Sequence, residues 1–148
     1  MKILFNPYIS EMTIMVQKEV GDRIVATAGT ADYSAITLAV QMRGNAKITR
    51  KVPRTVFYPS PNVDSAVVRI DIDENVLEGE NKELVHKLVR SAFAMRRKTL
   101  VNNLMSGMSV PRQQAEQAVT AAGFDARVRG EALELEELKS VYEELKKG

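Results

Sequence analysis

The chain has no cysteine, and its only histidine is His86. The lack of cysteine excludes a disulfide framework, a thiolate zinc site and a thiol nucleophile, and it fits a reducing cytoplasm. One histidine is too few for a histidine-based metal cluster or a Ser-His-Asp triad. We therefore expect no metal site and no histidine catalyst, with His86 at the surface or half-buried on a helix.

Long apolar runs are also missing. No stretch approaches the roughly 18 apolar residues of a membrane-spanning helix. The opening residues, MKILFNPYIS, lack the apolar length and the small-residue cleavage site of a signal peptide. These features predict a cytoplasmic protein without a membrane segment.

Glycines are present, but not in a phosphate-binding arrangement. Those at positions 21, 29, 44, 79, 107, 123 and 130 form neither a G-x-G nor a P-loop spacing. The chain is therefore expected to contain no cofactor-binding residue.

Charge is segregated along the chain, although the formal net charge is only +2. No acidic residue occurs from Tyr33 to Val63 or from Leu84 to Ala115, while both windows hold several lysines and arginines. Basic side chains that neutralise phosphates release counterions, so such windows favour a surface that binds a polyanion. Two solvated basic faces without a ligand are the alternative.

The first half has the pattern of a mixed α/β unit. Strands are predicted at EMTIMVQ, NAKITRKV and DSAVVRIDI, and helices at QKEVGDRIVA and Ser34–Met42. The prolines of PRTVFYPSPN predict a rigid loop outside the central ladder. Open sheets usually carry about five or six strands. Residues 1–75 are therefore predicted to be the incomplete C-terminal part of a larger domain.

The second half, residues 76–148, is predicted to be a small all-helical domain. An apolar stripe predicts one helix over Lys82–Leu104, stopped by Ser106-Gly107. A second helix is expected between Pro111 and Gly123, and LELEELKSVYEELKK predicts a third with Leu135, Leu138, Tyr142 and Leu145 on one side.

Four segments resemble the motifs of one family. VPRTVFYPSPNVDSAVVRI (Val52–Ile70) resembles V-P-x-x-x-F-x-P-x-P-x-V-[DN]-S-[AS], and MVQKEVGDRIVA (Met15–Ala26) resembles M-x-Q-K-E-V-A-x-R. FAMRRKTLVNNL (Phe93–Leu104) resembles F-x-x-R-R-K-x-L-x-N-x-L, and ARVRGEALELEELKSVYEEL is similar to a terminal R-x-E-x-L stretch. The motifs are those of the ribosomal RNA adenine N6-dimethyltransferases of KsgA type, which include the erythromycin-resistance methylases.

The resemblance implies the C-terminal strands and helices of a Rossmann-like, S-adenosylmethionine-dependent methyltransferase, followed by an rRNA-binding helical domain. Such enzymes dimethylate N6 of two adjacent adenosines near the 3′ end of small-subunit (16S) rRNA, in the 30S particle, during ribosome biogenesis. The target adenine must leave its stack, and an Asn-(Leu/Pro)-Pro-Tyr loop orients its amino group towards the methyl donor. Because this sequence contains neither that loop nor the cofactor motifs, the chain alone is expected to be inactive and not to bind S-adenosylmethionine.

One aromatic residue is the main candidate for contact with the target base. Phe57 falls on the family's Phe in F-x-P-x-P, and Pro59 and Pro61 stiffen its loop. A stacked base contributes about 1–3 kcal/mol; the alternative is that Phe57 plugs the joint between sheet and helical unit. Tyr58 is the weaker candidate because alternation turns it the other way. Two residues are expected to shape the turn into the last strand, namely Asp64 and Ser65.

Basic residues are the candidates for rRNA contact: Arg50, Lys51 and Arg54 in the first window, and Arg96, Arg97 and Lys98 in the second. On the predicted helix, three successive side chains spread over about 200°, so they cannot all face one phosphate. At least one is expected to bind the RNA backbone, and a salt-bridge role is the alternative.

The segment FNPYIS (Phe5–Ser10) resembles the catalytic loop only superficially. Asn6 directly precedes Pro7, and six residues separate Tyr8 from Met15, too few for the helix that the family has between its loop and M-x-Q-K-E-V. We interpret FNPYIS as a helix-to-strand turn, which leaves no catalytic residue in this chain.

Two other functions stay open on this evidence. The acid-free windows also suit a non-catalytic module that binds RNA or the ribosome. A structural fragment that pairs with another copy through an exposed strand edge is the third possibility.

Overall fold

The computed structural model describes residues 8–148, which form two compact units. The first contains residues 8–26 and Ile36–Glu78, and the second contains Thr27–Ala35 and Gly79–Gly148. The predicted turn in FNPYIS lies half outside the described residues, at positions 5–7; Tyr8 is exposed.

The first unit is built on a three-stranded antiparallel sheet in which the last strand is central. Its strands are β1 (Glu11–Gln17), β2 (Gly44–Val52) and β3 (Ser65–Ile72), so the three predicted strands are confirmed. Alternate residues of β3 are fully buried, as the two-residue period of a strand requires.

Two short helices of this unit contribute to its core, α1 (Lys18–Ile24) and α2 (Ala35–Gln41). Ile24 of α1 and Val40 of α2 pack with Val68 and Ile70 of β3 in one buried cluster. Gly21 allows α1 to approach the sheet, since a Cβ at this position would lie 3.0 Å from the Cβ of Ala66.

A register irregularity interrupts β2 between Ile48 and Arg50. Ile48 lies opposite Val68, whereas Arg50 lies opposite Val67. Such a bulge bends a strand and redirects its side chains. Strict alternation would put Arg50 on the same face as Ile48, but the bulge leaves positions 49, 50 and 51 all exposed.

The second unit contains four α-helices: α3 (Lys82–Ala92), α4 (Leu100–Met108), α5 (Arg112–Ala121) and α6 (Leu135–Lys147). The amphipathic last helix is confirmed, with its predicted apolar residues buried. His86 is half-buried on α3, as expected.

The prediction of a single helix over Lys82–Leu104 is wrong. α3 ends at Ala92, and Thr99 starts α4 as its N-cap, with its side chain accepting from the amide of Asn102. The apolar stripe continues through both helices because both bury it in one core, so the period alone hides the break. The expected stop at Ser106-Gly107 is also wrong, because α4 continues to Met108.

The segment Thr27–Ala35 belongs to the helical unit because Tyr33 is anchored there. Its hydroxyl donates to the carbonyl oxygen of Leu133 at 2.6 Å, and its ring meets that of Phe93 edge-on, with centroids 5.7 Å apart. Burial, and secondarily the carboxylates of Glu134 and Glu137, raise the pKa of the Tyr33 phenol.

Candidate nucleic-acid interface

In the first unit, the candidate surface is the loop between β2 and β3, residues 53–64. Arg54–Val56 form a single turn of 3-10 helix. The loop is closed by the carboxylate of Asp64, which accepts from the amide of Arg54 at 2.9 Å, and by the hydroxyl of Ser60, which donates to the carbonyl of Arg54 at 3.0 Å. These bonds and the loop's prolines hold its aromatic residues in a defined backbone.

The two aromatic residues of this loop differ in exposure. Phe57 is half-buried, whereas Tyr58 is fully exposed. The backbone of Phe57 is extended, with φ −104° and ψ 149°, and the two neighbours differ in exposure as the alternation of an extended chain predicts. Tyr58, the weaker candidate on the sequence, is therefore the side chain that faces solvent.

An open cleft of about 540 Å³ lies beside the loop. The amide of Lys18, at the start of α1, donates to the carbonyl of Asp64 at 2.9 Å, which ties the M-x-Q-K-E-V segment to the loop. Most of the lining is polar or charged: Gln17, Lys18, Glu19, Asp22, Arg54, Asn62, Val63 and Asp64.

The cations predicted near this loop are exposed. Among the described residues, no carboxylate lies within ion-pair distance of Arg50, Lys51 or Arg54. Their charges are therefore available to an anion from outside the chain.

In the second unit, Arg96, Arg97 and Lys98 lie in the connection between α3 and α4 and not on a helix. The expected 200° spread around a helix axis therefore does not apply. Asn103, almost fully buried on α4, holds this connection: its Nδ2 donates to the carbonyls of Ala92 at 3.0 Å and Met95 at 3.1 Å.

The three basic residues have different surroundings. Arg96 donates from Nη2 to the carbonyl of Ala31 at 2.9 Å, and its Nε lies 3.4 Å from Oε2 of Glu131. Arg97 and Lys98 are exposed, and no described carboxylate lies within ion-pair distance of either. Arg96 is thus engaged within the unit, and the other two keep their charge for a ligand.

A second cleft, of about 390 Å³, is lined by Gly29, Thr30, Ala31, Arg96, Arg97, Arg129, Glu131 and Ala132. Arg129 lies 3.9 Å from the same Glu131 carboxylate, so Arg96 and Arg129 share one acid, while Arg97 lines the cleft without a carboxylate partner. The cleft keeps an excess of positive charge, which suits a phosphate. Sequence reasoning missed Arg129, although it lies in the R-x-E-x-L stretch.

The described residues give no sign of a metal centre or a membrane segment. Within residues 8–148, no group of three or more potential metal-binding side chains is assembled. In the same part of the chain, none of the helices has the length and apolarity needed to cross a bilayer.

Comparison with known proteins decides the family. The model of the ribosomal RNA adenine dimethylase family matches residues 1–147. This chain belongs to that family.

Curated dimethylase relatives agree with this assignment. The chain is 44% identical over 137 residues to ribosomal RNA small subunit methyltransferase A of Geobacillus thermodenitrificans, covering 90% of the chain and 47% of the relative. It is 42% identical over 146 residues to the protein of the same name from Clostridium acetobutylicum, covering 97% of the chain and 52% of the relative. The chain thus spans about half the length of these relatives.

Solved structures show the same fold. A dimethyladenosine transferase from Plasmodium falciparum superposes with a TM-score of 0.75 at 22% identity, covering 97% of this chain and 60% of that one. The 23S rRNA methyltransferase ErmE gives a TM-score of 0.69 at 26% identity, covering 97% of this chain and 57% of its own. The antiparallel sheet and the helices therefore correspond to part of a methyltransferase fold.

Proposed function

We propose that this chain is the RNA-contacting part of an rRNA adenine dimethyltransferase. The whole enzyme transfers methyl groups from S-adenosylmethionine to N6 of two adjacent adenosines near the 3′ end of small-subunit rRNA, in the cytoplasm, during ribosome biogenesis. The observation that carries the proposal is the family match over residues 1–147, and the names of the relatives support rRNA as substrate.

Within this proposal the two units have separate tasks. The sheet unit is the C-terminal part of a Rossmann-like methyltransferase domain, and its β2–β3 loop presents Phe57 to the extruded adenine. The helical unit binds the rRNA backbone. Arg97 and Lys98 make its phosphate contacts, since Arg96 is already bonded to Ala31 and Glu131.

The described residues do not fit S-adenosylmethionine. The adenine of that molecule needs an apolar slot, and its ribose and methionine parts need a few well-placed polar groups. In the cleft beside the β2–β3 loop, Val63 is the single apolar residue of the lining, and the sequence holds no G-x-G turn. The chain's own contribution is therefore to bind and orient RNA.

Calorimetry with S-adenosylmethionine tests this division of labour. The 148-residue chain is expected to give no saturable heat of binding. A saturable micromolar site would place the methyl-donor site within these residues and would refute the division.

Filter binding with small-subunit rRNA tests the RNA role. Arg97→Gln is expected to weaken binding several-fold, because each phosphate contact contributes to an electrostatic affinity. Lys87→Gln removes the same charge from an exposed position of α3 and serves as the matched control. Equal effects of the two variants would show that only net charge matters.

A non-catalytic RNA- or ribosome-binding module is the second candidate. The exposed cations without carboxylate partners favour it as much as they favour the enzyme. Fusion of the chain to the N-terminal half of a dimethylase relative, incubated with 30S particles and labelled S-adenosylmethionine, separates the two, because only the RNA-contacting part of an enzyme restores transfer of label to rRNA. Self-association through an exposed sheet edge stays a prediction.

A further inference from the structure

The loop between β2 and β3 exposes an apolar patch that the proposed function leaves unused. Tyr58 is 102% exposed, Val56 is 63% exposed and Val63 is 46% exposed. Tyr58 has no hydrogen bond, ring contact or ion pair with any described residue. Scattered apolar side chains on a surface need no explanation, but here three lie in one short, hydrogen-bonded loop.

The charges around this patch indicate what covers it. Arg50, Lys51 and Arg54 flank the loop on its β2 side, all exposed and without a carboxylate partner. Proteins bind single-stranded nucleic acid with aromatic rings that stack on the bases and with nearby cations that contact the phosphate backbone. An apolar protein partner would not require this positive border.

We propose that Tyr58 is a stacking platform for an RNA base that neighbours the target adenosine. The base differs from the one assigned to Phe57, because Phe57 is half-buried whereas Tyr58 is fully exposed. The inference rests on the proposed function and adds a second base contact to it. One loop then holds two nucleotides of the strand, with the phosphate that joins them facing the arginines.

The loop is suited to this task because it is ordered before RNA arrives. The amides of Val56 and Phe57 donate to the carbonyls of Pro53 at 3.2 Å and Arg54 at 3.3 Å. Asp64 and Ser60 both bond to the backbone of Arg54 across the loop. Little ordering entropy is left for binding to overcome.

Two polyanions test the proposal, one that carries bases and one that does not. The chain is titrated by fluorescence anisotropy with a labelled single-stranded oligoadenylate, and inorganic polyphosphate is measured as a competitor. Tyr58→Ala is expected to weaken oligoadenylate binding at least about fivefold and to leave polyphosphate binding unchanged. Tyr58→Phe keeps the ring and is expected to bind both as the wild type does. Arg54→Gln is expected to weaken both.

The other outcomes overturn the inference in distinguishable ways. If Tyr58→Ala binds oligoadenylate like the wild type while Arg54→Gln does not, RNA is held by charge alone and the proposed function survives. If the wild type binds neither oligoadenylate nor small-subunit rRNA at low salt, both ideas fail. If Tyr58→Ala abolishes a concentration-dependent dimer in sedimentation, the patch is a contact between two copies and not an RNA platform.

Discussion

At the scale of single residues, close backbone approaches fix several identities. A Cβ on Gly44 would collide with the backbone oxygen of Asp71 on the neighbouring strand. Glycine is unfavourable in a strand by roughly 0.5–1 kcal/mol relative to alanine, so its presence here reflects space and not propensity. The sequence shows that position 44 is glycine, but only the strand register shows why.

Gly44→Ala is therefore expected to lower the free energy of unfolding by about 1–3 kcal/mol, as overpacking of a tight site does. Chemical denaturation of the whole chain measures it. Asn45→Ala, at the next and exposed position, is the control and is expected to stay within about 0.5 kcal/mol. Equal stabilities of Gly44→Ala and wild type would contradict the register of β2 against β3.

Tyr33 makes stability depend on alkaline pH. Its folded-state pKa is raised above the ordinary value of 10.0 by burial. Its contribution is fully present below pH 10 and is lost as pH rises from there towards the folded-state pKa, because the unfolded phenol ionises first.

Tyr33→Phe is expected to flatten this loss above pH 10, while costing about 1 kcal/mol at neutral pH through the lost bond to Leu133. Thermal unfolding across pH 8 to 11, about the range where phenols and amines titrate, measures both effects. Tyr58→Phe, at an exposed ring, is the control and should follow the wild-type curve. Parallel curves for Tyr33→Phe and wild type would contradict the burial of Tyr33.

At the scale of elements, period and alternation predicted most of the fold. The alternating pattern found β2, the short apolar runs found β1 and β3, and the leucine spacing found α6.

These patterns did not predict where a helix or strand is interrupted. The apolar stripe over α3 and α4 gave no sign of the break at 93–99. A local signal was present, because Thr99 directly before the apolar Leu100 is typical of a helix N-cap. The bulge in β2 had an equally local signal, an arginine at an apolar-face position. Nothing local linked Thr27–Ala35 to the helical unit, because Tyr33 and Leu133 meet only in the folded chain.

The break between α3 and α4 has a testable support in Asn103. Asn103→Ala removes the hydrogen-bond donor to the carbonyls of Ala92 and Met95. The variant is expected to lower the free energy of unfolding by about 1–3 kcal/mol. Amide exchange in the 93–99 connection is expected to become faster. Asn102→Ala loses only a surface bond to Arg112 and is the matched control. Unchanged exchange in Asn103→Ala would show that packing alone holds the connection.

At the scale of the whole molecule, each unit presents its own cationic surface. One is the β2–β3 loop with Arg50, Lys51 and Arg54, and the other is the 93–99 connection with Arg97 and Lys98. Sequence reasoning found both sets of cations, because acid-free windows are visible without a fold. It could not sort them, since only the folded chain shows that Arg96 is engaged by Ala31 and Glu131 while its neighbours are not. The family follows from the motifs and the comparisons; the role of these surfaces is the proposal.

The most direct test of that proposal is the salt dependence of binding between this chain and small-subunit rRNA. Each phosphate neutralised by a lysine or arginine is expected to contribute a slope of about −0.7 to −0.9 in log affinity against log salt. We predict a steep slope for the wild type that becomes shallower by about one contact in Arg97→Gln. An affinity that does not change with salt, or a slope that Arg97→Gln leaves unaltered, would contradict the account.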